Sequence, residues 1–261
     1  MYNGDEKLIN DGKYMPYTMQ NFWQWAYSNI LHNMQRGTFA EFIVRCALED
    51  GNIPTRSETG TGTEPYDLEG PIIKSTGKAA RVEVKSAAFV QAWDIKHPDR
   101  ANFSIAPAKI PDETGDYPAL ADRQRNNDLY VFTLYTATDR RRNILDLSWW
   151  EFYVLPTYKI EADPQLCKQK TISLKRVREL CELLSYDKLC QTIVAECNSI
   201  PANRDTNFTP PHKKSVNFNE KSSHSLIRDY GCFSIACSLS LRSGGLISFC
   251  AFGKKTTCLF C

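Results

Sequence analysis

Seven consecutive residues, Leu129-Tyr130-Val131-Phe132-Thr133-Leu134-Tyr135, form a β-prone run without a single charge. A strand with one wet face alternates apolar and polar side chains, so an unbroken run predicts a strand buried on both faces. Its neighbours must then supply further strands and two covering layers. Trp150 to Leu155 reads as another strand, stopped by Pro156 and separated from the first by the basic turn Asp139-Arg140-Arg141-Arg142-Asn143. Upstream, Tyr66 to Ile73 and Ala80 to Phe89 flank Ser75-Thr76-Gly77-Lys78, the signature of a hairpin. Residues 90 to 128, with prolines at 98, 107, 111 and 118, read mostly as loop.

Helices are marked by a different period. After Gly37-Thr38, apolar residues recur at Phe39, Phe42, Ile43, Cys46 and Ala47, with Val44 and Leu48 on the other side. A helix apolar nearly all round is expected to be buried, and Gly51 fits its C-terminal cap. Phe22, Trp23, Trp25 and Tyr27 predict an earlier helix packed on the core. Ser173 to Leu184, with Ser173 as N-cap, and Lys188 to Cys197 predict two more.

A chain of 261 residues suits one large domain, or one domain with a tail. Composition divides it into a domain over residues 1–202 and a Ser- and Cys-rich tail of low order over 203–261. A formal charge of +2 requires any nucleic-acid surface to be a local patch. The start lacks a signal-peptide pattern and no apolar stretch reaches membrane-spanning length, so a cytoplasmic location without membrane contact is expected. Cys46, Cys167, Cys181, Cys190 and Cys197 are scattered singly and read as small buried hydrophobes. The tail offers only one close pair, Cys258 and Cys261, which falls short of a zinc site; His32, His97, His212 and His224 share no metal spacing. The terminal Cys258-Leu259-Phe260-Cys261 superficially fits a prenylation box, but its last residue is atypical. The abrupt compositional shift would also fit translation past an altered reading frame.

The chemistry concentrates in Arg81-Val82-Glu83-Val84-Lys85-Ser86. Strand alternation sends Val82 and Val84 into the core and projects Glu83 and Lys85 together on the other face. The hairpin brings Asp67 beside them. Two neighbouring carboxylates suit a hard divalent cation, because magnesium keeps several waters and needs only one or two protein oxygens. Such an ion polarises a phosphodiester and acidifies water. Lys85 would orient that water or stabilise developing charge; service as a general base would require a depressed pKa. Glu41 lies on the predicted helix among Val44 and Leu48, where an unpartnered carboxylate is costly.

A helical Glu41, an Asp67 opening a hairpin, and Glu83-Val84-Lys85 on its second strand resemble the PD-(D/E)XK, restriction-endonuclease-like superfamily. Arg36-Gly37-Thr38-Phe39-Ala40-Glu41, Tyr66-Asp67-Leu68 and Trp150-Glu151-Phe152-Tyr153-Val154-Leu155-Pro156 are similar to segments of bacterial proteins of that kind, over roughly residues 20 to 185. The resemblance implies an α/β fold with a mixed central β-sheet flanked by α-helices. It also implies magnesium as cofactor, with manganese as a substitute, and DNA as substrate. Asp67 and Glu83 would be metal ligands, Glu41 a third metal-associated acid, and Lys85 the residue that positions water. One departure is that Pro65 stands two residues before Asp67 instead of adjacent to it.

Blander readings stand beside these. Glu83 and Lys85 could be a simple ion pair on a sheet face, and Glu41 could pair with Arg45 at i, i+4. Glu69 shares the parity of Asp67 and competes with it as a ligand. Arg36, Ser86, Gln91 and Arg125 are candidate substrate contacts, with packing roles as the alternative. Arg123 and Arg140 to Arg142 are candidate phosphate contacts, or merely solvated charge. Trp93 is core or platform. The functional expectation is a metal-dependent endonuclease cutting DNA, with a homodimer among the expected assemblies. Its rivals are a structure-specific repair nuclease, an RNA-directed nuclease, and a non-catalytic nucleic-acid-binding module on the same fold.

Overall fold

A computed structural model describes residues 2–56, 65–92, 101–109 and 123–202, together with two short strands at 249–251 and 254–256. The chain divides into two compact units, Met1–His212 and Lys213–Cys261. In chain order the first unit contains β1 (Lys7–Asn10), β2 (Lys13–Thr18), α1 (Met19–Tyr27), α2 (Asn33–Asp50), β3 (Leu68–Ile72) and β4 (Ala79–Ala88). These are followed by β5 (Asn102–Ser104), β6 (Leu129–Tyr135), β7 (Trp150–Pro156), α3 (Thr157–Ala162), β8 (Thr171–Ser173), α4 (Leu174–Leu180) and α5 (Tyr186–Asn198). In the second unit, β9 (Phe249–Ala251) and β10 (Lys254–Thr256) pair antiparallel. No helix among the described residues is long and apolar enough to cross a membrane.

The central sheet has the order β3-β4-β6-β7 and is mixed: β4 and β6 run parallel, while both outer pairs are antiparallel. This is the α/β architecture expected, a mixed sheet flanked by helices. All seven residues of β6 are buried, as their unbroken β-prone run requires. Val82, Val84, Val131, Phe152 and Val154 pack on one face with Ile43, Val44 and Leu48 of α2 and Leu189 and Ile193 of α5. Tyr130, Phe132, Leu134, Tyr153 and Leu155 pack on the other with Phe103, Ile160, Leu174 and Val177. Each face of the sheet thus has its own core.

A buried clasp fixes the β4–β6 register. Asp128 accepts from the Arg81 backbone N–H at 2.9 Å, from its Nε at 2.9 Å and from a terminal nitrogen at 2.7 Å. The Asp128 N–H in turn donates to the Arg81 carbonyl at 2.7 Å. Charge-assisted, bidentate bonds of this kind bring direction as well as energy.

Several expectations are corrected. The aromatic helix exists as α1, capped reciprocally by Thr18 and Asn21, but none of its residues is buried. Helix α2 is not buried all round: Ala40, Ile43, Val44, Ala47 and Leu48 face the core, whereas Phe42 and Arg45 face solvent. Gly51 caps its C-terminus as expected, but with φ −81°; the left-handed turn falls to Asn52, at φ +57°. The amides of Asn52 and Ile53 donate to Glu49 and Leu48 carbonyls at 2.9 Å, the Schellman arrangement. Gly51 is small for another reason. A Cβ there would lie 2.2 Å from Cys190 Sγ on α5.

The helix begun by Ser173 stops at Leu180, with Cys181 extended. The region read as loop holds β5, which pairs with β8. Of the five scattered cysteines only Cys197 is fully buried; Cys46, Cys167, Cys181 and Cys190 are half-buried. Burial pushes the Cys181 and Cys197 thiols up to about 12.

Candidate active site

The hairpin of β3 and β4 builds the site. Leu68 stands opposite Val82, so Asp67, one residue before β3, stands beside Glu83. The Asp67 N–H donates to the Val82 carbonyl at 3.1 Å, and the Val84 N–H donates to Asp67 Oδ2 at 2.7 Å. The side chain of Asp67 thereby replaces a backbone acceptor in the ladder, which fixes one carboxylate oxygen. Val82 and Val84 enter the first core, as strand parity predicts, and leave Glu83 and Lys85 together on the opposite face. The register on β6 pairs Glu83 with Tyr130 and Lys85 with Phe132, so both polar residues stand on a rigid, buried neighbour.

Lys85 Nζ donates to Glu83 Oε1, and both side chains are mostly shielded from solvent. Glu41 projects from α2 near enough to feel Asp67, Lys85 and Glu83 electrostatically. The structure therefore brings together Glu41, Asp67, Glu83 and Lys85 from three elements. Arg45, the alternative partner for Glu41, is engaged instead by Glu49 at 2.8 Å. Glu69 is held by the Tyr66 hydroxyl, which donates to it at 3.2 Å, and its register partner is Arg81.

Three acids around one lysine in a half-buried setting perturb one another. Burial, then the neighbouring Asp67, raises Glu41 to about 7; Lys85 opposes this and Glu83 adds to it. Burial and then Asp67 likewise raise Glu83 to about 7, against the pull of Lys85. Asp67 is raised by burial, which outweighs Lys85 and the Val84 hydrogen bond. For Lys85, burial acts downward, but Glu83, Asp67, the hydrogen bond and Glu41 together hold the ammonium above its ordinary value. Lys85 is thus a fixed cation near neutrality, the form that orients or stabilises but does not abstract a proton.

A divalent cation fits the chemistry of this donor set. Asp67 and Glu83 supply hard carboxylate oxygens, and crowded acids with elevated pKa values gain from added positive charge. Among the described residues, however, no three His, Cys, Asp or Glu side chains converge as a ready-made metal cage. Two protein carboxylates completed by water are the set that these residues offer.

The other candidates lie elsewhere. Arg125 is buried and spends its guanidinium on the carbonyls of Ile105, Leu166, Cys167 and Gln169, at 2.9 to 3.4 Å. It ties loops together and is not presented to a ligand. Gln91 is 2% exposed, with a buried, unpartnered Oε1, and stands several residues past the end of β4. Ser86 has the parity of Val82 and Val84, opposite to Glu83, and its Oγ is buried without a partner. Arg36 is also buried, at 3% exposure, bonding the Leu31 carbonyl at 3.2 Å and Asn33 Oδ1 at 2.7 Å. Its Nε has no partner, and burial lowers its pKa to about 10.

In the basic turn, Arg140 donates to the Gln91 carbonyl at 3.0 Å, Arg141 pairs with Asp139, and Arg142 lies 4.7 Å over the Trp149 ring. Arg123 is exposed. Trp93, His97 and the tail features lie outside the described residues, apart from the backbone of the β9–β10 hairpin. Sequence reasoning missed the Arg81–Asp128 clasp, two residues along β4 from Glu83. Its only linear trace was an acid immediately before β6 and an arginine of the same parity as Glu83.

No protein-family model matches the chain, and no curated protein does. Among solved structures, the bacterial homing endonuclease I-Ssp6803I aligns with 61% of this chain and 93% of its own, at 16% identity and a TM-score of 0.33. The functional reading rests on the geometry of the site itself.

Proposed function

We propose that the chain is a metal-dependent nuclease of the PD-(D/E)XK type that hydrolyses phosphodiester bonds in DNA. One observation carries this reading: Asp67, locked by the Val84 amide, stands beside Glu83, with Lys85 on the same strand face and Glu41 close by. Asp67 and Glu83 would hold magnesium, or manganese in its place. When bound, the ion would supply positive charge to the phosphodiester and acidify water near neutral pH. Lys85, held cationic by its acids, would orient the attacking water and offset charge developing on phosphate oxygens. Glu41, with its elevated pKa, would share the acid load at the metal side and exchange a proton near neutrality.

The test is cleavage of plasmid and single-stranded DNA, with RNA as comparison, in magnesium or manganese and in chelator. Metal-dependent cutting is expected, reduced by Lys85→Ala about 10²–10³-fold, the scale seen when one stabilising donor is removed. Glu83→Ala is expected to abolish it. Preferential RNA cleavage would redirect the substrate assignment.

The competing reading, a non-catalytic nucleic-acid-binding module, draws on the engagement of Glu83 by Lys85. Folded protein that binds DNA without metal and cuts nothing would select it.

A further inference from the structure

Helix α1 ends in an aromatic cluster, and no side chain of the helix is buried. The ring centroid of Phe22 lies 6.3 Å from that of Trp25 and 6.2 Å from that of Tyr27, so the three rings are contiguous. Phe22 is 42% exposed, Trp25 83% and Tyr27 55%. The backbone beneath them is nevertheless fixed. Thr18 and Asn21 cap the helix reciprocally, and Trp23 lies against Gly4, where a Cβ would be only 3.1 Å from the indole. Gln35 Nε2 donates to the Ala26 carbonyl at 3.3 Å, which ties the residue between Trp25 and Tyr27 to the first turn of α2.

That turn is an electropositive end with no acid upon it. His32 at the N-cap supplies no side-chain acceptor to the first amides, and none of the first-turn residues is acidic. Arg36 adds a full charge at the same place. It is 3% exposed, and its guanidinium reaches back to the Leu31 carbonyl and to Asn33 Oδ1. Its Nε has no partner, and among the described residues no carboxylate pairs with it. A buried charge is ordinarily paired, so this one is unusual. The sequence repeats the imbalance: residues 12–40 contain Lys13 and Arg36 but neither Asp nor Glu, in a chain with 30 acids.

We propose that Phe22, Trp25 and Tyr27 form a stacking platform for an unpaired nucleobase, and that the uncapped first turn of α2 takes the adjoining phosphate of a single-stranded nucleic acid. A base inside a duplex has both faces covered, whereas an unpaired base stacks on aromatic side chains with little regard to sequence. The phosphate meets backbone N–H groups at a helix N-terminus, with the charge of Arg36 beneath them. Arg36 acts through its field, since its burial denies it direct contact. The charge balance favours a polyanion over a second copy of this chain, which would bring no acid from residues 12–40 to meet Arg36. Glu41 lies about 7.5 Å further along the axis of α2, so the bound strand is held on the element that also serves the acid–lysine cluster. The platform rests on the nuclease reading for the kind of polymer, and adds that its single-stranded form is preferred.

Anisotropy of a short fluorescein-labelled oligothymidylate, titrated with the full chain in chelator, tests this against the same strand annealed to oligodeoxyadenylate. Chelator prevents metal-dependent cutting, so binding is read apart from catalysis. The single strand is expected to bind at least about tenfold more tightly than the duplex and to quench tryptophan emission. Trp25→Ala alters an exposed side chain and should leave the circular dichroism unchanged. It should weaken binding at least about fivefold, the lower end for one stacked base, whereas Trp25→Phe keeps most of the affinity. Arg36→Met should flatten the salt dependence by about one phosphate contact; if that variant does not fold, the Trp25 pair decides alone. Equal binding of single strand and duplex, no binding of either, or full affinity in Trp25→Ala overturns the inference. Self-association that buries Trp25 also overturns it and gives the surface to a second copy. Cleavage in magnesium is scored separately: a chain that cuts without single-strand preference loses only the platform, and one that binds as described but cuts nothing loses only the nuclease reading.

Discussion

At the residue scale the site is a problem in crowded charge. Glu41 and Glu83 are each raised to about 7 by burial first and by Asp67 next, and only Lys85 relieves them. A carboxyl whose folded pKa lies above its unfolded value contributes stability that is complete below the unfolded value and lost as pH rises through the folded one. Metal-free protein should therefore lose stability between about pH 4.5 and about pH 7, where these acids have ionised in the unfolded state but still hold protons in the folded one. Glu41→Gln should flatten that loss, and magnesium should raise the melting temperature more at pH 8 than at pH 5. Melting curves at the two pH values, with and without metal, measure both effects; a pH-independent difference between wild type and Glu41→Gln would contradict them. The acids and the lysine were legible in the sequence because strand parity is strict and the turn at Gly77 fixes the hairpin. Arg125 and Gln91 were not, because whether a loop arginine or a post-strand glutamine is solvated depends on segments distant in sequence. The carbonyls that claim Arg125 come from residues 20 to 44 positions away.

Between residues and the whole fold, each element places the site through a small number of contacts. Helix α2 carries Glu41, and its end is set by Asn52 and by the close approach of Gly51 to Cys190. Gly51→Ala should destabilise the protein by about 1–3 kcal/mol through overpacking, whereas Asn52→Gly should be neutral or slightly stabilising. Urea denaturation of both variants checks the distinction; equal effects would show that the approach to Cys190 is not limiting. Strand β4 is held to β6 by the Arg81–Asp128 clasp, whose aspartate side chain is 5% exposed. Asp128→Ala should cost about 3 kcal/mol, because it strips a mostly shielded arginine of its carboxylate partner. A loss below about 1 kcal/mol in the same denaturation series would place the pair among weak surface bridges. The main strands were readable from composition because β6 is unbroken and β4 alternates. Helix α1 was readable as a helix but not in its environment: aromatic density predicts burial, and here the aromatic residues lie on an exposed surface. Short β5 and β8 exist only through their pairing with each other, a contact that no local pattern announces.

For the molecule as a whole, the two cores formed by the described residues are drawn from residues 40 to 200. The proposed division at residue 202 predicts that a chain ending at Ala202 folds cooperatively and keeps whatever metal-dependent cleavage the full chain shows. A truncated chain that melts without a transition would show that the tail contributes to folding. The mixed sheet with helices on both faces presents Glu83 and Lys85 from β4 and Asp67 from the residue that leads into β3, where the Val84 amide holds it, with Glu41 on a packed helix. The claim on which the functional account depends is that Asp67 and Glu83 jointly bind a divalent cation. Calorimetric titration of manganese into the full chain at pH 7.5, repeated with Asp67→Asn and Glu83→Gln, measures it directly. One site per chain, weakened at least about tenfold by either substitution, is the predicted result; no binding to the folded protein, or binding that both variants retain undiminished, would contradict the account.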